Sequence, residues 1–212
     1  FHWDFPQRLF NAGGWLNRDS SLWFADYVRA VVDRLSDRVS HWITLNEPQI
    51  YIGLGHYDTK HAPGIKYPFS QALLAGHHTL MAHGRAVQVI RAHAKTKPVI
   101  GWAPVGKVDA PATESKADID AARRSTMACA DRHFFTNTWF GDPVMLGHYP
   151  EDAIKAYGAD VPQVQPGDME LIHQKLDFYG LNIYSGGCVK AGPDGSPVPV
   201  HMPTGHARNA LN

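Results

Sequence analysis

The sequence predicts an α/β protein in which parallel strands alternate with helices. Runs of β-branched, aromatic and apolar residues, "HWITL" at 41–45, "PVIGWAP" at 98–104 and "LDFYGLNIYS" at 176–185, are separated by long stretches of helical period. Polar side chains gather at the carboxyl ends of these runs. No Gly-rich phosphate loop follows any of them, since the glycine pairs at Gly13 and Gly186 stand in the wrong context. Alternation implies right-handed crossovers between parallel strands, and working residues at several strand tips favour a (β/α)8 barrel over an open doubly wound sheet.

Taken in order, "FHW" reads as a strand tip carrying His2 and Trp3. "SSLWFADYVRAVVDRLSD" reads as a helix capped by Ser20 or Ser21, with an apolar stripe at Phe24, Tyr27, Val28, Val31 and Leu35. His41 to Leu45 suit a strand buried on both faces, and Asn46 and Glu47 stand at its tip. Gly53, Gly55, Pro63, Gly64 and Pro68 mark a loop. A second helix over 70–95 keeps its period through Leu73, His77, Leu80, Val87 and Ile90 or Arg91, with Gly84 as an interruption. The next strand ends near Trp102 to Pro104. A helix over about 115–136 and two shorter ones near Glu151 and Asp168 lead to a strand whose tip bears Asn182 and Tyr184. Four strands make half of a closed barrel. Residues 1–212 are therefore expected to form one partial catalytic barrel, with 186–212 as a Gly/Pro-rich loop region at its end.

Composition bounds the function. Hydrophobic residues make up 44% and charged residues 19%, which describes a globular chain. Net charge is zero and no Lys/Arg block occurs, so neither nucleic acid nor an anionic membrane is the expected partner, and a neutral small molecule is. Cys129 and Cys188 lack metal-site spacing and are too few for a disulfide framework, as in a reducing cytoplasm. No apolar run reaches the ~18 residues of a membrane span. Phe1 is not a natural start, so the chain reads as a piece of a longer one.

Glu47 is the first candidate for chemistry. A carboxylate is seldom buried without a partner, and Pro48, lacking an N–H, ends ladder pairing beside it. Taken alone, a Glu before Pro is ordinarily a solvated strand end. Adjacent strand residues point to opposite faces, so Asn46 and Glu47 reach one pocket only if the chain bends at Glu47-Pro48. His77, His78 and His83 share a helix and invite a metal, but their offsets of one, five and six miss the i, i+4 pairing of a helical zinc site. No metal is expected.

The blocks "HWDFPQ", "ITLNEP", "HAPG" at 61–64, "AHG" at 82–84, "GDPVMLGHYP" and "DFYGLNIYS" occur in an order that resembles the central part of a bacterial β-glucosidase of glycoside hydrolase family 1. The resemblance implies a (β/α)8 barrel whose third strand ends at His2, fourth at Glu47, fifth near Trp102 and sixth at Tyr184. It implies a retaining enzyme without cofactor, acting on β-glycosides. Glu47 would be its general acid/base, Asn46 the partner of the sugar 2-OH, and His2 a donor to a glycone hydroxyl beside Trp3. Tyr184 would hold the nucleophile's carboxylate, Asn182 would share its strand face, and Gln49 would replace an aromatic on the aglycone side.

The nucleophile itself, a Glu on the seventh strand, would lie outside residues 1–212. Glu114, Glu151 and Glu170 are the other glutamates, and none occupies a strand tip. The chain alone is thus expected to be inactive. Its exposed barrel edges predict self-association. The competing reading is a non-catalytic half-barrel that binds β-glycoside or glucose.

Overall fold

A computed structural model describes residues 1–129 and 131–201. After α1 (Gln7–Asn11) and a 3-10 turn at Gly14–Leu16, α2 runs over Ser20–Leu35. Its cap position is Asp19, and the two serines lie in the first turn. Ser21 Oγ donates to Arg18 O and accepts from Arg85 Nε, so it ties α2 to its neighbour instead of capping it. The buried face centres on Val28 and Val32, one turn apart, while Tyr27 and Leu35 are exposed.

β1 (His41–Asn46) buries Trp42, Thr44 and Leu45 and leaves Ile43 40% exposed, so it is covered on one face and not on both. The expected loop after Pro48 begins instead with α3 (Pro48–His56), where Pro48 sits at the first position that tolerates it. Gly53 and Gly55 are close-approach residues: a Cβ would lie 2.9 Å from Phe134 Cβ and 2.5 Å from Ala62 O respectively. α4 (Phe69–His93) is unbroken at Gly84 for the same reason. A Cβ there would stand 1.8 Å from Leu171 O.

β2 (Val99–Ala103), β3 (Val105–Gly106) and β4 (Ala110–Pro111) follow as segments of one strand path. Next comes α5 (Lys116–Met127), whose Ser115 cap accepts from Asp118 N. It ends before the expected 136, and "TWFGDPVM" forms a separate helix, α6 (Thr138–Met145), despite Gly141 and Pro143. α7 (Glu151–Tyr157) and α8 (Asp168–Ile172) stand where helical signals placed them. β5 (Phe178–Tyr179) and β6 (Asn182–Ile183) complete the "DFYGLNIYS" strand. Within the expected loop region, β7 (Cys188–Ala191) and β8 (Pro197–Val200) form an antiparallel hairpin. Residues 202–212 lie outside the described residues.

The parallel sheet has the order β1-β2-β5, and β3-β6 and β4-β7 prolong the same ribbon, with Gly101 opposite Phe178, Val105 opposite Asn182 and Ala110 opposite Cys188. On the other side of β1, the Phe1 amino group donates to Ile43 O and Asn46 N donates to Phe1 O, which lays "FHW" along it. Spatial order therefore follows chain order, as in successive strands of a barrel. One core cluster, with Val28, Val32, Trp42, Val87, Ile90 and Ile100, joins α2 and α4 to the sheet. Each such side chain contributes about 1.5–3 kcal/mol on burial. Among the described residues, no helix is long and apolar enough to cross a membrane.

Trp102 departs from its expected place at a strand tip. It is fully buried, with ring contacts to His83 and Tyr179, and the strand end passes to Ala103 and Pro104.

Candidate active site

Two irregularities at the end of β1 build the site. Ile43 pairs with Gly101 and Asn46 with Ala103, so Thr44 and Leu45 together oppose the single Trp102. This is a β-bulge, and both bulged residues are buried. Glu47 then adopts left-handed backbone angles, φ 47° and ψ 62°, before α3 starts at Pro48. Such angles are uncommon for a residue with a Cβ and occur where surrounding contacts impose them. Here Glu47 N donates to Ala103 O, and Glu47 O accepts from Ile50 N in the first turn of α3. The bend required to bring Asn46 and Glu47 together is thus present, at Glu47 itself.

Both side chains meet a third. Asn182 Nδ2 donates to Glu47 Oε1 at 2.7 Å and to Asn46 Oδ1 at 3.2 Å. Tyr184, two residues on along the same strand face, is hydrogen-bonded to the Glu47 carboxylate, whose negative charge pushes the phenol above its ordinary pKa. The resemblance gave Tyr184 a nucleophile as partner; among the described residues its carboxylate partner is Glu47. Glu47 is only 4% exposed and Tyr184 61%, so the group has a buried floor and an open rim. Trp3 Nε1 donates to Asn46 O at 2.9 Å, and His2 is stacked on Trp3 at 4.3 Å between ring centroids.

Gln49, expected on the aglycone side, has its side chain in the interior. It is fully buried, and its Nε2 donates to Val105 O at 2.9 Å, because the first turn of α3 rotates it under β3. The cavity next to Tyr184, of ~330 Å3, is lined by Ile50, Val105, Lys107 and Phe135. Ile50 and Phe135 carried no distinguishing sequence signal. Exposure of an aromatic at a loop between helices is the feature that marks Phe135.

The helical histidines each take a protein partner. His77 donates from Nε2 to Asp168 and accepts at Nδ1 from the Tyr149 hydroxyl, and Arg18 completes the chain by an ion pair with Asp168. Burial would raise the Asp168 carboxyl, but its hydrogen bonds from Arg18, His77 and Gln165 N outweigh that and hold it at about 2. His78 is bonded to Trp15 O, and His83 to Thr44. Among the described residues, no group of three or more His, Cys, Asp or Glu side chains is arranged to hold a metal ion. Cys129 and Cys188 are buried free thiols.

A carboxylate presented with amide and phenol partners at the carboxyl edge of parallel strands lies where a (β/α) barrel places its working residues. Residues 1–209 match the profile of glycosyl hydrolase family 1, and the chain belongs to that family. It is 40% identical over 201 residues to the 1,4-beta-D-glucan glucohydrolase of Thermotoga neapolitana, covering 94% of this chain and 45% of that protein. Its identity to beta-glucosidase A of Thermotoga maritima is also 40%, over 94% of this chain and 43% of the relative.

Among solved structures, the family 1 β-glucosidase of T. maritima in complex with isofagomine lactam superposes with a TM-score of 0.76 at 37% identity, over 96% of this chain and 44% of that one. The β-glucosidase of Exiguobacterium marinum gives 0.76 at 33%, over 100% and 47%. The fold is that of these (β/α)8 barrels, of which the chain supplies roughly the third to sixth strands. It spans less than half the length of the relatives it matches.

Proposed function

We propose that this chain carries the acid/base half of a retaining β-glucosidase site, within a full-length protein that hydrolyses terminal β-glucosyl or related bonds. The observation behind this reading is the convergence of Asn46, Asn182 and Tyr184 on the buried Glu47 carboxylate. In the first step Glu47, protonated, gives its proton to the glycosidic oxygen as the bond to the anomeric carbon breaks and a carboxylate nucleophile bonds to that carbon. Glu47 then takes a proton from the water that releases the sugar. Asn46 holds the 2-OH, where a hydrogen bond tightens as oxocarbenium character develops, and His2 and Trp3 bound the glycone. Asn182 and Tyr184 orient the Glu47 carboxylate.

Residues 1–212 form one partial barrel in this reading, and the nucleophile belongs to a later strand, so the isolated chain turns over no β-glucoside. Its open edges pair with another copy or with the rest of the barrel. The two free thiols suit a cytoplasmic setting.

The test is Glu47→Ala in the full-length protein. Hydrolysis of glycosides with poor leaving groups falls about 10²- to 10⁴-fold, whereas activated aryl glycosides still form the glycosyl-enzyme. Azide then accelerates turnover and yields the β-glycosyl azide. Normal activity of the variant, or an α-azide product, removes Glu47 from this role.

A further inference from the structure

The β1 bulge has an anchor on the side away from the pocket. Thr44 Oγ1 lies 2.7 Å from His83 Nδ1 and 3.4 Å from Gly101 O, all within the buried layer between the sheet and α4. A threonine hydroxyl has one hydrogen to give. Given to Gly101 O, it leaves Oγ1 free to accept from His83 Nδ1–H, and both contacts are satisfied. Given to Nδ1, it abandons Gly101 and makes His83 Nε2 a protonated donor.

Among the described residues Nε2 has no hydrogen-bond partner, and a buried N–H without an acceptor is rarer and costlier than a bare lone pair. The Nδ1–H tautomer follows. The His83 ring lies 5.7 Å between centroids from that of Trp102, whose own Nε1–H also lacks a partner among the described residues.

A bulge interrupts ladder bonding, and in a strand of period two a shift of one residue turns every following side chain to the other face. Without the bulge Asn46 would point toward the helices. Thr44 is one of the two bulged residues, and its 2.7 Å contact with α4 is the shortest side-chain link the bulge makes.

We propose that His83 is a positioning residue for Asn46 and Glu47: through Thr44 it locks the bulge that turns Asn46 into the pocket and fixes the strand end from which the left-handed Glu47 bends in beside it. The proposal rests on the acid/base reading of Glu47. His83 touches no part of the site directly, and it acts only through the strand.

The test uses the full-length protein with Thr44→Val, His83→Leu, His83→Asn, the Thr44→Val/His83→Leu double variant and Glu47→Ala as reference. Loosening the bulge displaces Glu47 by a fraction of an ångström to an ångström, so Thr44→Val and His83→Leu each lower kcat on an alkyl β-glucoside about 10- to 100-fold with little change in KM. For a dinitrophenyl glucoside, whose departure needs no proton, the loss in kcat/KM is smaller than for the alkyl glucoside, whereas its kcat still falls because release of the sugar needs Glu47 as base. The double variant is no worse than either single one. His83→Asn, whose amide nitrogen occupies the Nδ1 position, recovers most of the rate. In the parent protein, 15N NMR of labelled histidine, assigned through the His83 variants, shows His83 protonated at Nδ1 and bare at Nε2.

An Nε2–H tautomer overturns the proposal. So does an Asn variant no better than Leu, or equal losses of kcat/KM on both substrates that merely follow thermal stability. Full activity of Glu47→Ala on the alkyl glucoside defeats the acid/base reading instead, and is recognised separately from these outcomes.

Discussion

On the helix-facing side of β1 and β2, Trp42, Ile100 and Trp102 are at most 6% exposed; the first two pack under α2 and α4, and Trp102 lies against His83 of α4. At the carboxyl end of β1 and at β6, Asn46, Glu47, Asn182 and Tyr184 form a polar group that is open at its rim. The first region is made of regular pleat and regular helix, so apolar surface is matched by period alone. The second exists because regularity fails twice, at the Thr44–Leu45 bulge and at the left-handed Glu47. The helix-facing side stores the folding energy, and the edge directs where two functional side chains point.

If that division is right, damage to the packed side shows first as lost stability. Gly84→Ala is the sharpest case, since the new Cβ would meet Leu171 O at 1.8 Å. Backbone cannot yield as a flexible side chain can, so α4 and α8 must separate, at a cost of about 3 kcal/mol or more. A urea titration of the full-length protein should show the midpoint falling at unchanged slope. A change below about 0.5 kcal/mol, the range of a bland surface substitution, would mean that the two helices are not in contact there.

The same side carries a pH signature. Burial pushes the pKa of His83 down to about 3, whereas in an unfolded chain it titrates near 6.5. Below 6.5 the unfolded state therefore binds a proton that the native state refuses, and stability falls as the pH drops through the window from 6.5 to 3. The slope is about 1.4 kcal/mol per pH unit for one such group. Burial lowers His56, His77 and His78 as well, in the same direction. Unfolding midpoints measured from pH 7 to pH 5 should decline, and less steeply in His83→Asn. A flat profile would contradict a dry helix-facing layer.

How far each region could be read in advance follows from the same physics. The strand at 41–46, the core of α4 and the short helices at Glu151 and Asp168 obey simple periods and were legible. α3 was not, because Gly53 and Gly55 look like turn residues, and only the positions of Phe134 and Ala62 reveal that they admit a neighbour. α6 was masked in the same way by Gly141 and Pro143. At the site, residue types and family blocks named Asn46, Glu47, Asn182 and Tyr184. Pro48 signalled a bend, but the bulge one step earlier has no signature of its own: Thr44 and Leu45 are ordinary strand residues. His83, the partner of Thr44, is 39 residues away in the chain.

Edge residues should behave in the opposite way to Gly84. Tyr184→Phe removes a hydroxyl from an exposed side chain hydrogen-bonded to Glu47, so the unfolding midpoint should stay within error. If the reading of Glu47 holds, kcat/KM of the full-length protein on a β-glucoside should fall about tenfold, since a hydrogen bond to a charged group is lost where charge develops. A lower melting temperature with unchanged kinetics would move Tyr184 to the packed side of the comparison.

Gln49 tests the border between the regions, because it lies two residues from Glu47 in sequence yet belongs to the interior. Its Nε2 donates to Val105 O, and its Oε1 has no partner among the described residues. Gln49→Met keeps the length and approximate volume of the side chain, removes that one hydrogen bond and also removes an unsatisfied oxygen. The two effects oppose each other: the lost bond is worth about 0.5–1.5 kcal/mol, and relieving the buried oxygen returns part of it. The net change in stability should therefore be below about 1 kcal/mol. A residue lining an aglycone pocket would respond differently, for a thioether there would improve apolar aryl glycosides over alkyl ones. The comparison is the ratio of kcat/KM for an aryl and an alkyl β-glucoside in the full-length protein, which should match the parent within about twofold if Gln49 makes no aglycone contact. Phe135→Ala supplies the contrast, because Phe135 does line the cavity beside Tyr184. A ratio that shifts for Gln49→Met and not for Phe135→Ala would return Gln49 to the aglycone side and redraw the border one helical turn deeper.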